Sequence, residues 1–170
     1  MSIDTMAVNP EEAFIQQINQ NLGIAHSVCG IYFADEDEKS DVIQEMMYQL
    51  WKSYPGFDGR SKFSTWMYRV CLNTALTYLR KVSKAKNESL SLNHNEIPAN
   101  APENNEESLQ ELYQAISTLS SLNKAIVLLY LEDLSYEEIA QITGLSKTNV
   151  SVRLVRIKKE LETKLKKQIN

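Results

Sequence analysis

The segment from Leu134 to Leu161 constrains the fold of this chain more than any other. It opens with Ser135 three residues before Glu138, the spacing of a helix capping box, and Gly144 marks where that first helix ends. Ser146 is placed to cap a second helix, whose apolar residues recur at four-, three- and four-residue intervals and predict one buried face. These apolar residues are Val150, Leu154, Ile157 and Leu161. The pattern predicts a helix-turn-helix, a motif whose second helix enters a groove of DNA.

The outer face of the second helix carries an unusual mixture of side chains. Val152 and Val155 suit packing against thymine methyl groups better than they suit a solvated surface, and the forked side chain of Arg156 pairs well with guanine. The segment 147–167 holds eight basic residues against two acidic ones, which favours contact with phosphates. Taken alone, an ordinary helical hairpin with a charged outer face also fits this segment. The residues predicted to contact DNA are Lys147, Thr148, Ser151, Val152, Arg153, Val155, Arg156 and Lys159.

Length and composition favour one or two small domains that do not enter a membrane. The chain has 170 residues, 43% of them apolar, and no apolar run approaches the ~20 residues of a spanning helix. The N-terminal residues are acidic rather than basic and apolar, so a cytoplasmic protein without a signal peptide is expected. Cys29 and Cys71 lie in apolar helical patterns without a CxxC spacing, which predicts reduced core cysteines. We expect no metal site, cofactor or catalytic group.

The net charge of −4 conceals an uneven distribution along the chain. Residues 1–40 hold seven acids and one base, whereas 41–81 hold three acids and six bases. Residues 82–110 hold five acids and two bases, and 111–170 hold seven acids and nine bases. Two basic blocks, separated by an acidic connector, are consistent with a nucleic-acid partner.

Apolar spacing divides the chain into two helical units. In the N-terminal half it predicts one long helix over 14–32, a second over 42–51, and a third that opens near Ser61 or Ser64 and runs to Lys81. In the C-terminal half it predicts helices over 109–119 and 125–131 before the helix-turn-helix. No β-alternation or hairpin signal is present. The predicted fold class is therefore all-α, with two small helical domains.

The segment 82–108 between the two units is predicted to be a flexible linker. It contains six asparagines, two prolines and a surplus of acids, and it has no apolar periodicity. The predicted domain boundaries are accordingly 10–81 for the first unit, 82–108 for the linker and 109–167 for the second unit.

Residues 41–81 resemble region 2 of bacterial RNA polymerase sigma factors, and residues 111–165 resemble region 4. Together they resemble the extracytoplasmic-function group of the sigma-70 family, which has a linker where larger relatives have region 3. Two motifs in the right order are more specific than either alone. The resemblance implies a sigma factor that directs promoter recognition, DNA melting and transcription initiation, with core RNA polymerase, promoter DNA and an anti-sigma factor as partners. Region 4 would read the upstream (-35) element.

The resemblance also implies a polymerase-binding surface. Asp41, Gln44 and Glu45 lie on one side of the second predicted helix and match the polar motif with which such factors grip the polymerase clamp helices. From the residues alone, a capped helix with a solvated acidic face is the preferred interpretation, and the resemblance is what favours the interface.

Aromatic and basic residues interleave between positions 52 and 69, a pattern suited to stacking unpaired bases while cations follow the backbone. Aromatic residues at helical spacing are also common in cores, and Phe63 and Trp66 fall partly on the buried side of their helix. The resemblance assigns the loop 57–62 to catching a base of the non-template strand at the downstream (-10) element. The implied contacts are Phe57, Arg60, Ser61, Lys62, Phe63, Trp66 and Asn73.

The chain departs from the family pattern at two places. The residues before the helix-turn-helix read LSSLNK where many relatives have a proline. Ser121 is therefore expected to cap the helix that precedes the helix-turn-helix. Ser151 and Val152 replace a more usual Lys-Ser pair, which leaves the promoter sequence open.

Two other functions compete with this interpretation. One is a helix-turn-helix DNA-binding transcriptional regulator that does not join polymerase. The other is an enzyme acting on nucleic acid, which would need converging carboxylates or metal ligands that the sequence does not offer.

Overall fold

The computed structural model describes residues 9–88 and 107–169, and in these ranges the chain is helical and has no strand. The all-α prediction is therefore confirmed. None of the helices in these ranges is both long and apolar enough to cross a membrane. The helices are α1 (Pro10–Gln20), α2 (Leu22–Tyr32), α3 (Glu36–Ser53), α4 (Phe63–Glu88), α5 (Glu107–Ser117), α6 (Ser121–Leu131), α7 (Tyr136–Thr143) and α8 (Lys147–Ile169).

The first predicted helix is in fact two helices, so the prediction of a single helix over 14–32 is wrong. The break lies at Asn21, which has φ −121° and ψ 16° and whose Nδ2 donates to the carbonyl of Gln17 at 2.8 Å. An asparagine side chain that bonds the backbone in this way competes with the helical ladder. Leu22, the first residue of α2, is exposed.

Helices α3 and α4 form a hairpin that contains the loop 57–62. Asp35 caps α3 by accepting from the backbone of Asp37 and Glu38, and a 3₁₀ turn over Tyr54–Gly56 follows it. Helix α4 begins after Lys62 and continues seven residues beyond the predicted end. Because residues 82–88 contain no proline or glycine, nothing in them stops the helix. The rest of the predicted linker, residues 89–106, lies outside the described residues.

The helix-turn-helix has the predicted caps. The Ser135 hydroxyl accepts from the Glu138 backbone at 3.2 Å, while the Glu138 carboxylate accepts from the Ser135 backbone at 2.8 Å. Gly144 ends α7 with φ 77°, a left-handed conformation that glycine adopts without strain. Ser146 accepts from the backbone of Asn149 at 3.1 Å and so caps α8. These local predictions are confirmed.

The cap of α6 was predicted one residue too late. Ser120, not Ser121, accepts from the backbone of Asn123 at 3.3 Å. Ser120 is extended, with φ −61° and ψ 157°, which is the usual conformation of an N-cap residue, whereas Ser121 is already helical.

The two helical halves pack against each other and share one apolar core. Helix α2 lies against α6, and α4 lies against α7. The buried hydroxyl of Tyr32 donates to the carbonyl of Ser121 at 2.6 Å, which joins residues 89 positions apart. The linker therefore connects two units that are in direct contact.

Candidate nucleic-acid and partner interfaces

Helix α8 presents one face to the core and the opposite face to solvent. Val150, Leu154 and Ile157 are at most 2% exposed, as their spacing predicted. On the other side Val152 is 43% exposed and Val155 is 66% exposed. Because exposing two valines brings no folding benefit, this face has the character of a contact surface.

The other residues predicted to contact DNA divide into two groups. Thr148, Arg156 and Lys159 are exposed beside the two valines. Lys147 instead pairs with Glu137 at 2.7 Å, which links α8 to α7. Arg153 is half-buried and donates from Nη1 to Oδ1 of Asn123 at 3.2 Å. Ser151 is also half-buried. We call the exposed surface formed by Thr148, Val152, Val155, Arg156 and Lys159 the reading face.

The loop 57–62 is held in a defined shape by its own residues. Asp58 accepts from the backbone N–H of Arg60 at 3.0 Å, forming an Asx turn, and its second oxygen lies 3.0 Å from Nε of Arg60. Gly59 has φ 75°, which favours glycine there. The side chain of Arg60 is 90% exposed. The loop therefore projects a guanidinium group into solvent.

A cluster of aromatic rings lies beneath this loop. The Tyr54 ring is within 6.5 Å of four others, including that of Phe14 at 4.9 Å. Phe57 lies 5.2 Å from Trp66 and 5.7 Å from Phe63. Phe63 is only 8% exposed, so it supports the loop from below and has no surface to offer a base, whereas Phe57 and Trp66 are partly exposed. The sequence pattern indicated the aromatic residues but not Tyr54 as their centre.

Two of the three predicted polymerase-binding residues line a groove between α3 and α4. Asp41 and Glu45 contribute to it from α3 and Asn73 from α4, in a volume of about 690 Å³. Gln44 is exposed on the same helix but outside the groove. Tyr78 also lines the groove, and burial followed by the charges of Glu38, Asp41 and Asp35 raises its pKa. The groove brings together residues that the sequence assigned to two different partners.

Polar contacts join α4, and Lys62 immediately before it, to α7. Nζ of Lys62 lies 3.1 Å from Oε1 of Glu138, and Nη2 of Arg69 donates to the carbonyl of Gln141 at 2.5 Å. Backbone N–H donation from Ser135, together with the Lys62 contact, lowers the pKa of Glu138. Sequence reasoning missed both contacts, because no local pattern signals a pair more than 70 residues apart.

Neither cysteine has the character of a reactive or metal-bound thiol. Cys29 and Cys71 are buried and unpaired by any disulfide. Burial raises the pKa of Cys29 to about 11 and that of Cys71 to about 12. In the described ranges, no three His, Cys, Asp or Glu side chains are grouped so as to hold a metal ion.

The chain has an exposed reading face that is both apolar and basic, and its loop 57–62 projects Arg60 above an aromatic cluster. Together these two surfaces define a helical nucleic-acid-binding protein. The sigma-70 region 2 family model matches residues 17–85, and the sigma-70 region 4 model matches residues 109–161. The chain belongs to the extracytoplasmic-function group of the sigma-70 family of RNA polymerase sigma factors.

Similar proteins of known name agree with this assignment. The ECF RNA polymerase sigma-E factor of Haemophilus influenzae is 30% identical over 181 residues, which cover 91% of this chain and 95% of that protein. The protein of the same name from Escherichia coli K12 is 32% identical over 155 residues, covering 82% and 81%.

Solved structures show the same fold. The sigma factor RpoE of Bartonella quintana, in complex with the anti-sigma factor NepR, matches with a TM-score of 0.79 at 20% identity, over 91% of this chain and 98% of that one. CnrH, in complex with the cytosolic domain of CnrY, matches with a TM-score of 0.68 at 18% identity, over 94% and 91%.

Proposed function

We propose that this chain is the promoter-recognition subunit of a bacterial RNA polymerase and that it both selects and opens promoter DNA. Polymerase supplies all the catalysis, so the chain itself is not an enzyme and works in the cytoplasm, where polymerase and DNA are. Residues 10–81 form the core of the proposed polymerase-binding and melting domain and 109–167 that of the upstream-element domain, and the predicted linker of 82–108 is shortened because α4 runs to Glu88 and α5 begins at Glu107.

The observation that carries the proposal is the coexistence of two different nucleic-acid surfaces on one chain. The reading face of α8 suits duplex DNA, because Val155 and Arg156 are exposed on one side of a helix that fits a major groove. The loop 57–62 suits an unpaired strand, because Arg60 projects from a turn next to the partly exposed Trp66. A regulator that binds only duplex DNA has no need for the second surface.

The groove between α3 and α4 supports the assignment of polymerase binding. Asp41 and Glu45 place two carboxylates at its edge, and both are exposed. Glu45 accepts a surface hydrogen bond from Gln49 at 2.9 Å, and exposed bonds of this kind are readily exchanged for a partner. An anti-sigma factor is a further expected partner, since the similar sigma factor RpoE of Bartonella quintana was solved in complex with the anti-sigma factor NepR.

Transcription of genomic DNA in vitro tests the proposal and does not require a defined promoter. Core polymerase is incubated with the purified chain and fragmented genomic DNA of the same bacterium, and the 5′ ends of the RNA are sequenced. We expect new start sites that share an upstream element and are absent with core polymerase alone. A chain that binds DNA fragments but creates no new start sites would instead be the helix-turn-helix regulator.

Polymerase binding has its own test, with a matched control. Changing Asp41, Gln44 and Glu45 to Ala removes two carboxylates and one amide from α3. The control changes Glu11, Glu12 and Gln16 to Ala and removes the same groups from the exposed side of α1. We expect the first variant alone to lose co-purification with core polymerase while its helical content is unchanged. Equal retention of both variants would contradict the assignment.

A further inference from the structure

A second groove, which we call the junction groove, lies between residues 76–84 of α4 and residues 121–124 of α6. Its volume is about 820 Å³, and sites for small molecules commonly enclose about 300–1,000 Å³. It shares no lining residue with the reading face, with the loop 57–62 or with the groove between α3 and α4. We propose that the junction groove binds a nucleotide that carries at least two phosphate groups.

Three cations from two helices line the junction groove. Arg80 and Lys84 lie one turn apart on α4, and Lys124 comes from α6. Among the residues that the structure describes, none of these three cations has an ion-pair partner, and no carboxylate lines the groove beside them. On a chain with a net charge of −4, three positive charges without a counter-charge form a local potential that attracts an anion.

Lys124 is the cation with the least favourable surroundings. Its side chain is half-buried, and burial lowers its pKa because the ammonium group loses water that no acidic group replaces. It is also the fourth residue of α6, close to the positive end of the helix dipole, and the first turn of α6 holds no acidic residue to offset that charge. A phosphate group beside Lys124 would relieve both effects.

Apolar side chains form another part of the junction groove. Leu76 and Leu79 of α4 and Leu122 of α6 line it, and all three are only partly buried. A free phosphate ion gains nothing from such a surface, whereas a nucleobase and a ribose displace water from it. Cations beside partly exposed leucines therefore favour a phosphorylated organic molecule over an inorganic anion.

The spacing of the cations favours more than one phosphate group. Arg80 and Lys84 are four residues apart, about 6 Å along the helix axis, and Lys124 approaches from the other helix. A diphosphate distributes its charged oxygens over two neighbouring groups. The forked guanidinium of Arg80 can then take two oxygens of one group while the lysines contact the other.

The depth of Lys124 favours a small ligand over duplex DNA. Phosphates of a duplex lie on the outside of a wide helix, so they meet cations that project into solvent, as the 90% exposed side chain of Arg60 does. A nucleotide can enter the groove and reach a half-buried ammonium group. An acidic protein segment is the other candidate occupant, and it differs from a nucleotide in carrying single carboxylate charges.

Titration calorimetry of the purified full chain with GDP and with ADP tests the proposal. Guanosine lacks the phosphates and pyrophosphate lacks the nucleoside, so each should bind at least about tenfold more weakly than GDP. That result would show that the cations and the apolar surface act together. Failure of both nucleotides to bind, or equal binding of GDP and pyrophosphate, would overturn the proposal.

Two charge-matched variants locate the site. The test variant changes the three groove cations: Arg80→Gln, Lys84→Gln and Lys124→Gln. The control variant changes three exposed lysines outside the groove: Lys52→Gln, Lys166→Gln and Lys167→Gln. We expect the affinity for GDP to fall at least about tenfold in the test variant alone, with the helical content of both unchanged. Equal losses in the two variants would mean that only net charge matters, which contradicts the proposal.

Hydrogen exchange of the wild-type chain gives a second measurement that does not depend on how the variants fold. GDP should slow the exchange of backbone amides in 76–84 and 121–124, where the groove lies, and slowing confined to other segments would overturn the proposal. A hexaglutamate peptide and a non-promoter duplex identify the alternatives. If either of these depends on the three groove cations while GDP does not, the groove serves a macromolecular partner and the nucleotide proposal fails. Promoter recognition and melting would stand in each case, because their surfaces lie outside the groove.

Discussion

Arg153 and Asn123 form a hydrogen bond of 3.2 Å that fastens the recognition helix α8 to α6. Arg156, three residues further along α8, instead lies exposed in the reading face. Two arginines on neighbouring turns of one helix thus have different surroundings, and we expect Arg156 to contribute more to DNA binding than Arg153, although the sequence assigned both to DNA. The difference can be measured.

Arg156→Ala should weaken binding to an upstream-element duplex and leave the thermal melting temperature unchanged. A bidentate contact to guanine is worth about 1–3 kcal/mol. Arg153→Ala should instead lower the free energy of unfolding by about 0.5–1.5 kcal/mol, through loss of the Asn123 bond. Calorimetry and a duplex-binding titration on both variants check this. Full DNA affinity in Arg156→Ala would contradict the assignment of the reading face.

Leu154 and Val155 are adjacent but face opposite ways, being 2% and 66% exposed. Leu154→Ala should destabilise the C-terminal half by about 2–5 kcal/mol, because truncating a buried leucine leaves a cavity. Val155→Ala should leave stability within about 0.5 kcal/mol, as is usual for surface positions, and reduce affinity for the upstream duplex. Denaturant unfolding of both variants beside the duplex titration separates the two effects. Similar unfolding midpoints for the two variants would show that α8 is oriented differently.

The capping box should make stability depend on pH. The folded-state pKa of Glu138 is lowered by the Ser135 backbone bond and by Lys62. Its contribution to stability is therefore present above the ordinary glutamate pKa of about 4.3 and is lost as pH falls through the lowered value. The stability gap between the wild-type chain and Glu138→Gln should be largest at neutral pH and should close in strongly acidic solution. A gap that does not change with pH, measured in urea at each pH, would rule out this role for the charge.

The two thiols should be inert in the folded chain. Because burial raises their pKa values to about 11 and about 12, almost no thiolate exists near neutral pH to attack a disulfide reagent. We expect Ellman's reagent at pH 8 to react with neither Cys29 nor Cys71 until guanidinium is added, when both react. Rapid labelling of either residue in native buffer would contradict the packing of α2 against α4.

Local signals in the sequence predicted the C-terminal helices well. The capping box at Ser135, the stop at Gly144 and the buried stripe through Leu154 were predicted correctly, because each depends on residues within a few positions of one another. The break at Asn21 was missed, since an apolar stripe continued across it and the competing side-chain bond is visible only in three dimensions.

Long-range packing explains what the sequence did not reveal. Tyr32 and Ser121, or Lys62 and Glu138, meet only because α2 and α4 dock against α6 and α7. Hydrophobic periodicity shows that a face is buried but not which partner buries it. The central position of Tyr54 in the aromatic cluster was missed for the same reason, since its neighbours come from α1, the loop and α4.

Promoter opening is the most direct measure of the central claim that this chain enables polymerase to melt DNA. Permanganate oxidises unpaired thymines, so it can be applied to linear promoter DNA with core polymerase and either the wild-type chain or the Arg60→Ala, Lys62→Ala variant. We predict strong reactivity around the start site with the wild-type chain and little with the variant, although both protect the upstream element from nuclease. A template with a premelted bubble should restore part of the transcription that the variant loses. Wild-type reactivity with the variant would contradict the role of the loop, and no reactivity with the wild-type chain would contradict the sigma-factor function itself.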